Sequence, residues 1–471
     1  MSNSSYELGM IGLGVMGRNL LLNMADRGFA VAGYDKDTAK VQSLRKEAEG
    51  HNICSADNLN DLIGHLRQPR VVMLLIPAGP PVDAVIHELG PFLNAGDLII
   101  DGGNSYFRDT ERRSAELKKK GIGFMGVGIS GGEQGARKGP SIMPGGQKES
   151  YERVRQIFEA IAARVGGKPC VTYLGPGSAG HYVKMVHNGI EYGAMQLIAE
   201  SFHLMKQSMG LTNDRLHSIY EQWNFTELGG YLIEITGAIL AQKDDRTGKD
   251  LVDVILDEAR QKGTGLWTSQ EAMTLGVPLP TVDLAVMMRQ LSDLKEYRVS
   301  ASQIHDNVGR SFQGDQETFI EQIRNALYAA MLITYSQGMS LLRVASDTYK
   351  YNLKLGDIAR IWQGGCIIRA TLLEKIRIAY EAKPDLRSLL LDSGIVKDII
   401  DRQQQLRAVV QVAVGLAIPV PGISVSLSYM DGYRSPWLPA NLIQAQRDYF
   451  GAHSYERVDA AGVFHTAWRE D

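Results

Sequence analysis

Cysteine is scarce in this 471-residue chain: Cys54, Cys170 and Cys366 are odd in number and widely spaced. That excludes a disulfide scaffold and a metal site of paired cysteines, and it fits a reduced, cytoplasmic setting. Charge of one sign is missing too. Fifty basic against 53 acidic residues leave a formal net charge of −3, with no general attraction to nucleic acid or an anionic membrane. Any anion site must therefore be local. The start, Met1-Ser-Asn-Ser-Ser, lacks the basic-then-apolar pattern of a secretory signal, so none is expected. One uncharged run, residues 408–430, is long enough to cross a bilayer, but Pro419, Pro421, Gly422 and three serines interrupt it. The prolines are expected to split it into a buried helical piece and a separate continuation. No internal repeat or low-complexity tract is present.

What the chain does have begins at residue 6. Residues 6–11 read as a short buried strand running into Gly12-Leu13-Gly14-Val15-Met16-Gly17, then into a helical pattern through Leu20, Leu21 and Met24. Strand, G-x-G-x-x-G and helix in that order form the dinucleotide-binding arrangement. Gly12 permits the tight turn, Gly14 lets backbone approach a pyrophosphate, and Gly17 lets helix and strand pack closely. The pyrophosphate rests on unpaired N–H groups at the helix start. A second strand, residues 29–34, ends in Asp35, placed to bind the adenosine ribose hydroxyls. A carboxylate there repels a 2′-phosphate and favours NAD over NADP; Lys36 argues mildly the other way, and Asp37 offsets part of its charge.

Further strands are expected at 71–76, ending at Pro77, and at 97–100, ending at Asp101-Gly-Gly-Asn104. Both are continuous apolar runs, the pattern of parallel sheets buried on two faces. Ligands in such sheets bind beyond the carboxyl ends of strands, which places Asn104 at the site. A run at 123–127 leads into Ser130-Gly131-Gly132, a turn offering a hydroxyl and N–H groups to an oxyanion, or merely a flexible turn.

The strand–helix alternation stops near residue 177. Apolar residues then recur at three- and four-residue spacing, which predicts helices over 178–209, 214–222, 227–242, 250–260 and 316–345. From about Ser435 the chain is rich in turns and aromatics, among them Trp437, Phe450 and Trp468, and should pack against something. The expected architecture is an α/β Rossmann-type N-terminal domain (1–177), a large all-α domain (178–434) and a C-terminal tail (435–471).

Within the second unit, Lys184, His187, Asn188 and Glu191 stand out. An α-helix advances about 100° per residue, so offsets of three, four and seven share one face. Met185, Val186 and Ile190 lie elsewhere on the wheel, so this polar stripe is either a solvated surface or the lining of a cleft. Gly189 costs the helix about 1 kcal/mol relative to alanine, which implies that something approaches it closely. Three further cations deserve weighing: Lys262 in Gln261-Lys-Gly-Thr264-Gly, Arg289 amid apolar residues, and Arg447 near His453. Each alone reads as easily as a solvated lysine or a surface arginine. Converging, they would hold a phosphate well, since charged hydrogen bonds contribute about 1.5–3 kcal/mol each.

Taken together these segments resemble the 6-phosphogluconate dehydrogenase family over essentially the whole chain. The resemblance runs through Gly12–Gly17, Ser130–Arg137, Pro140–Gly146, Lys184–Glu191, Gln261–Gly265 and Leu438–His453. It implies oxidative decarboxylation of 6-phosphogluconate in the pentose phosphate pathway, with reduction of NAD or NADP and no metal. It assigns Lys184 as general base and Glu191 as proton donor. It makes Asn104, Ser130, Gly131, Gly132, His187 and Asn188 sugar-acid contacts, and Tyr192, Lys262, Thr264, Arg289 and Arg447 a phosphate cradle. His453, with Arg447, would come from the partner subunit of a homodimer. The chain departs from the family where Asp35-Lys36-Asp37 replaces an Asn-Arg-Thr or Asn-Arg-Ser segment, which strengthens the NAD reading. Leu266 and Ala194 also depart, outside the catalytic set. Two other readings stand beside this one: a non-decarboxylating 3-hydroxyacid dehydrogenase, and a nucleotide-binding protein without catalysis.

Overall fold

A computed structural model describes residues 6–304 and 311–468. The first unit is a seven-stranded sheet in the order β3-β2-β1-β4-β5-β6-β7. Its strands are β1 (Leu8–Ile11), β2 (Val31–Tyr34), β3 (Ile53–Ser55), β4 (Val71–Leu74), β5 (Leu98–Asp101), β6 (Gly123–Ser130) and β7 (Ser141–Pro144). All pairings are parallel except β6 with β7. Every residue of β1, β4 and β5 is buried, as their apolar runs require with helices on both faces, and the Asp101 that ends β5 is buried with them. Strand order reverses between β1 and β4, and the crevice beyond their carboxyl ends opens at Gly12.

One strand expectation needs correction. The run expected over 123–127 continues to Ser130, so Ser130 closes a strand rather than standing in a turn. The reason is its neighbour β7, which pairs antiparallel with it up to Ser130↔Ser141.

Helices fill the second unit. The longest, Ala179–Met209 and Gln316–Tyr349, cross where side chains are small. A Cβ at Gly338 would lie 2.5 Å from Ile190, and one at Gly193 would lie 2.6 Å from Thr334. The helix expected over 250–260 is absent. Only a single 3-10 turn, Leu251–Asp253, forms there. Asp250 and Asp253 both accept from Asn213 Nδ2, and Val254, Ile255 and Leu256 stay exposed, so the segment has no apolar face to anchor a helix. The 408–430 run divides as expected, into Gln403–Gly415 and Pro421–Tyr433 with Pro421 in the first turn. Among the described residues no helix is long and apolar enough to cross a membrane.

The helix Ala179–Met209 starts against the sheet. A Cβ at Gly180 would lie 2.3 Å from the carbonyl oxygens of both Gly126 and Met143, and one at Gly128 would lie 2.4 Å from Lys184 Cβ. Helix backbone and strand backbone are therefore in contact, which only glycine permits. The tail forms a helix, Ala440–Gly451, and a hairpin of Tyr455–Glu456 with Val463–Phe464. Asp448 is the buried residue of that helix, while Trp437, Leu442, Ile443 and Phe450 are exposed.

Candidate active site

The glycine loop has the geometry its spacing demands. Gly12 has φ +101°, and a Cβ on it would lie 2.3 Å from Leu75 O; one on Gly17 would lie 1.9 Å from Gly12 O. Gly14 caps the helix Val15–Asp26, and open space faces it, as an approaching ligand needs. Leu13 is buried in the sheet's core, Val15 is exposed and Met16 packs partly against that core. A cavity of about 410 Å³ adjoins the loop, lined in part by Gly12, Gly14, Asp35, Lys36 and Lys40.

Asp35 is tied to this loop rather than free: its Oδ2 accepts from Leu13 N at 2.7 Å and its Oδ1 from Asp37 N at 2.9 Å. The cations beside it are also paired. Lys36 meets Glu88 at 2.7 Å, and Lys40 lies 3.6 Å from Asp35 and 3.7 Å from Asp37. Two lysines thus face three carboxylates at the adenosine end.

At the centre, the structure decides the character of the polar stripe. Lys184 is 6% exposed, His187 0% and Asn188 8%, so this is a lining and not a solvated face. Burial lowers the Lys184 amine from its usual range, against the opposing pull of Glu191 and the Cys366 thiol. Burial raises the Glu191 carboxyl, against Lys184 and Arg289. The two groups are displaced toward neutrality from opposite sides, the arrangement of acid–base work. Burial, with the Lys184 charge adding to it, holds His187 well below its usual range, so its 3.8 Å approach to Glu191 is a polar contact and not an ion pair.

These side chains are wired together. Ser130 Oγ lies 3.2 Å from His187 Nε2, His187 Nδ1 lies 3.0 Å from Asn188 Oδ1, and Asn188 Nδ2 donates to Thr264 Oγ1 at 3.2 Å. One chain of bonds thereby runs from the end of β6 to the start of the helix Thr264–Thr274. The partner that Gly189 makes room for is Thr268 on that helix: an added Cβ would lie 2.6 Å from its Cγ2. Thr268 Oγ1 in turn donates to Met185 O at 2.9 Å.

Tyr192, one residue beyond Glu191, carries the Arg289 guanidinium 3.6 Å above its ring. Arg289 also donates to Arg260 O, at the head of the loop holding Lys262, which is exposed. Tyr192, Thr264, Arg289 and the Lys262 loop are thus assembled within one chain. Asn104 is exposed in the loop after β5, whose turn is held by Asp101 accepting from Gly103 N and Ser105 Oγ. Arg447 and His453 have no hydrogen bond, ion pair or ring contact with this cluster among the described residues. Arg447 donates to Gln444 and His453 meets the edge of Phe450.

Sequence reasoning missed the segment 364–367. A Cβ at Gly131 (φ +124°) would lie 2.5 Å from Gly365 O, and the amide of Ile367 donates to Ser130 Oγ at 3.4 Å. Burial pushes the neighbouring Cys366 thiol up to about 12, so it is no nucleophile. The Gly364-Gly365 pair was its one signal, a turn marker. Also missed was the tie between units, in which Glu271, 2% exposed, accepts from Arg108 at 3.1 Å and pairs with Tyr349 OH. No group of acidic, histidine or cysteine side chains suited to a metal ion occurs among the described residues.

A dinucleotide crevice on a sheet, with a buried lysine and a half-buried carboxylate on the helix that leaves it, defines a nicotinamide-dependent dehydrogenase. The particular kind follows from comparison with known proteins. Residues 7–175 match the family described as "NAD binding domain of 6-phosphogluconate dehydrogenase", and residues 180–468 match "6-phosphogluconate dehydrogenase, C-terminal domain". A Bacillus subtilis protein named "6-phosphogluconate dehydrogenase, NADP(+)-dependent, decarboxylating" is 51% identical over 466 residues, 99% of each chain. The Escherichia coli "6-phosphogluconate dehydrogenase, decarboxylating" is 50% identical, again over 99% of each. A solved Plasmodium falciparum 6-phosphogluconate dehydrogenase superposes with a TM-score of 0.95 at 45% identity, covering 98% of this chain and 100% of that one. Its description includes complexes with NADP+ and with 6-phosphogluconate. This chain belongs to the 6-phosphogluconate dehydrogenase family.

Proposed function

We infer that the chain converts 6-phospho-D-gluconate to D-ribulose 5-phosphate and carbon dioxide, the oxidative decarboxylation of the pentose phosphate pathway. The observation that carries this reading is the pairing of buried Lys184 with half-buried Glu191 on a single helix face, the amine shifted down and the carboxyl up. The bound nicotinamide dinucleotide supplies the hydride acceptor. Lys184, as a neutral amine, takes the proton of the C3 hydroxyl while the C3 hydrogen leaves with its electron pair. The product is a 3-keto acid, whose carbonyl is β to the carboxylate. Protonated Lys184 then neutralises the oxyanion at C3 as carbon dioxide departs and an enediol forms. Glu191 gives its proton to the carbon that becomes C1, and the enediol hydroxyl returns its proton to Lys184. His187 and Asn188, held between Ser130 and Thr264, orient the sugar acid together with Asn104, Gly131 and Gly132. Tyr192, Lys262, Thr264 and Arg289 receive the phosphate.

Arg447 and His453 complete the site of a second copy in this reading. Support comes from the tail's exposed apolar side chains and from the lack of contact between these residues and their own chain's cluster. The segments 1–177, 178–434 and 435–471 then divide the work: cofactor, substrate and partner. For the cofactor we infer NAD, because the lysines at the adenosine end are already matched by a greater number of carboxylates.

The test is to mix protein, 6-phosphogluconate and either NAD or NADP, following reduced nicotinamide and carbon dioxide together. Equal yields of both, formed faster with NAD, are expected, and Asp35→Ser should narrow the NAD:NADP ratio. Reduced nicotinamide without carbon dioxide would leave the non-decarboxylating reading. A faster rate with NADP would overturn the cofactor assignment alone.

A further inference from the structure

The tail poses a physical problem. A segment that leaves the body of its own chain and exposes most of its apolar side chains has little core with which to fix its shape, yet Arg447 and His453 must be offered at defined positions. Asp448 answers it. Its Oδ1 accepts from Ser454 N at 2.8 Å and from His465 Nδ1 at 2.8 Å. Its Oδ2 accepts from Trp468 Nε1 at 2.8 Å and from Thr466 N at 3.1 Å. Four donors from two separate stretches, Ser454 and residues 465–468, converge on one carboxylate. Burial opposes its ionisation, but these donors hold the carboxyl below the usual range.

The turn so held is an uncommon one. Ala452 has φ +49° and Ser454 φ +57°, so two residues with side chains take the left-handed conformation on either side of His453. Such a backbone persists only where its surroundings over-determine it. Asp448 grips the Ser454 amide, and Gln444 Nε2 donates to the Ser454 carbonyl at 2.6 Å. Gln444 also accepts, through Oε1, from Arg447 at 3.1 Å. Arg447 and the His453 turn are therefore parts of one hydrogen-bonded unit.

We propose that Asp448 is a positioning residue: it fixes the relative placement at which Arg447 and His453 are presented to a second copy of this chain. The proposal rests on the reading that those two residues complete the partner's site. It distinguishes Asp448 from a plain folding anchor, because the effect must fall on the sugar phosphate and not on the cofactor.

The experiment uses the full chain with four variants, Arg447→Ala, Asp448→Asn, their combination, and Trp468→Phe. It measures the KM for 6-phosphogluconate, the KM for NAD, kcat, and the oligomeric state by sedimentation. Asp448→Asn should raise the KM for 6-phosphogluconate about tenfold, with the KM for NAD within about twofold and the dimer intact. In the Arg447→Ala background the same change should add less than about threefold, because the two residues act as one unit. Trp468→Phe, which removes one donor and keeps an aromatic side chain, should show the same selective rise at smaller size, and it carries the test if Asp448→Asn does not assemble. A sugar-phosphate KM unchanged by Asp448→Asn, or by Trp468→Phe standing in for it, overturns the proposal when Arg447→Ala raises that KM. So does full additivity in the double variant. An unchanged KM in Arg447→Ala itself overturns the parent reading of the tail instead.

Discussion

Gly265→Ala is a one-methyl change whose effect opposes its local propensity. Gly265 lies in the first turn of the helix Thr264–Thr274, where alanine should gain up to about 1 kcal/mol of helix stability. A Cβ there would lie 2.4 and 2.5 Å from Cδ2 and Cε2 of Tyr192. That is about 1 Å short of ordinary van der Waals contact. The ring has little freedom to retreat, because it packs with Ala285 and Val286 and carries Arg289 3.6 Å above it. On the other side, Thr264 is bonded to Asn188 and Thr268 to Met185 O. Either Tyr192 and Arg289 shift, or the Lys262–Thr264 loop does, and both routes move groups assigned to the phosphate. Overpacking of this kind costs about 1–3 kcal/mol. Spent on the binding geometry, it raises the KM for 6-phosphogluconate roughly 5- to 150-fold. The KM for NAD should not move, and the melting temperature should change little, since helix propensity offsets part of the strain. Steady-state kinetics with each substrate varied in turn, beside a thermal melt, decides the matter. A KM for 6-phosphogluconate within twofold of the parent would refute the assignment of these residues to the phosphate.

Lys184→Met should lower kcat by about 10⁴-fold or more, through loss of the base and of the charge on the oxyanion, while 6-phosphogluconate still binds in equilibrium titration; near-parental turnover defeats the mechanism. The same variant should melt higher than the parent at pH 7. A buried amine whose folded pKa is lowered destabilises the fold wherever the unfolded chain keeps its proton, so the difference should shrink as pH rises from the lowered pKa toward about 10.4. Paired melts at pH 7 and pH 10.5 test this, and a difference that grows with pH contradicts it. In the parent, kcat/KM should climb with pH through that lowered lysine pKa, and a limb at the ordinary lysine value of about 10.4 would mean that Lys184 is not the base.

Local features were legible because their causes are local. The turn at Gly12, the close approach at Gly17 and the shared face of Lys184, His187, Asn188 and Glu191 follow from backbone geometry over a few residues. Gly189 announced a close neighbour, but only the structure identifies it as Thr268, 79 positions along. The segment 364–367 escaped notice since its contribution is a carbonyl and an amide, which any sequence could supply. The antiparallel β7 was hidden for a similar reason: the run 141–144 is short, and its pairing is made by β6. The failed helix at 250–260 had apolar spacing but no surface to bury it against, and periodicity reports only the first condition. Asp35 was read for its charge, and its bond to the Leu13 amide shows a second role, bracing the loop that carries the glycines.

The bare-backbone seam between β6 and the helix Ala179–Met209 has a consequence for motion and for redesign. With Gly128 under Lys184 Cβ and Gly180 between two carbonyls, a side chain at either glycine would collide and drive strand and helix apart. Lys184 is in effect part of the floor of the cofactor's own unit, although the sequence assigns it to the next. An opening that admits substrate is then expected at other elements, such as the exposed Lys262 loop. A chimera that exchanged helical units between relatives would keep Lys184 in register only if this seam travelled whole, both the strand's glycines and the helix's.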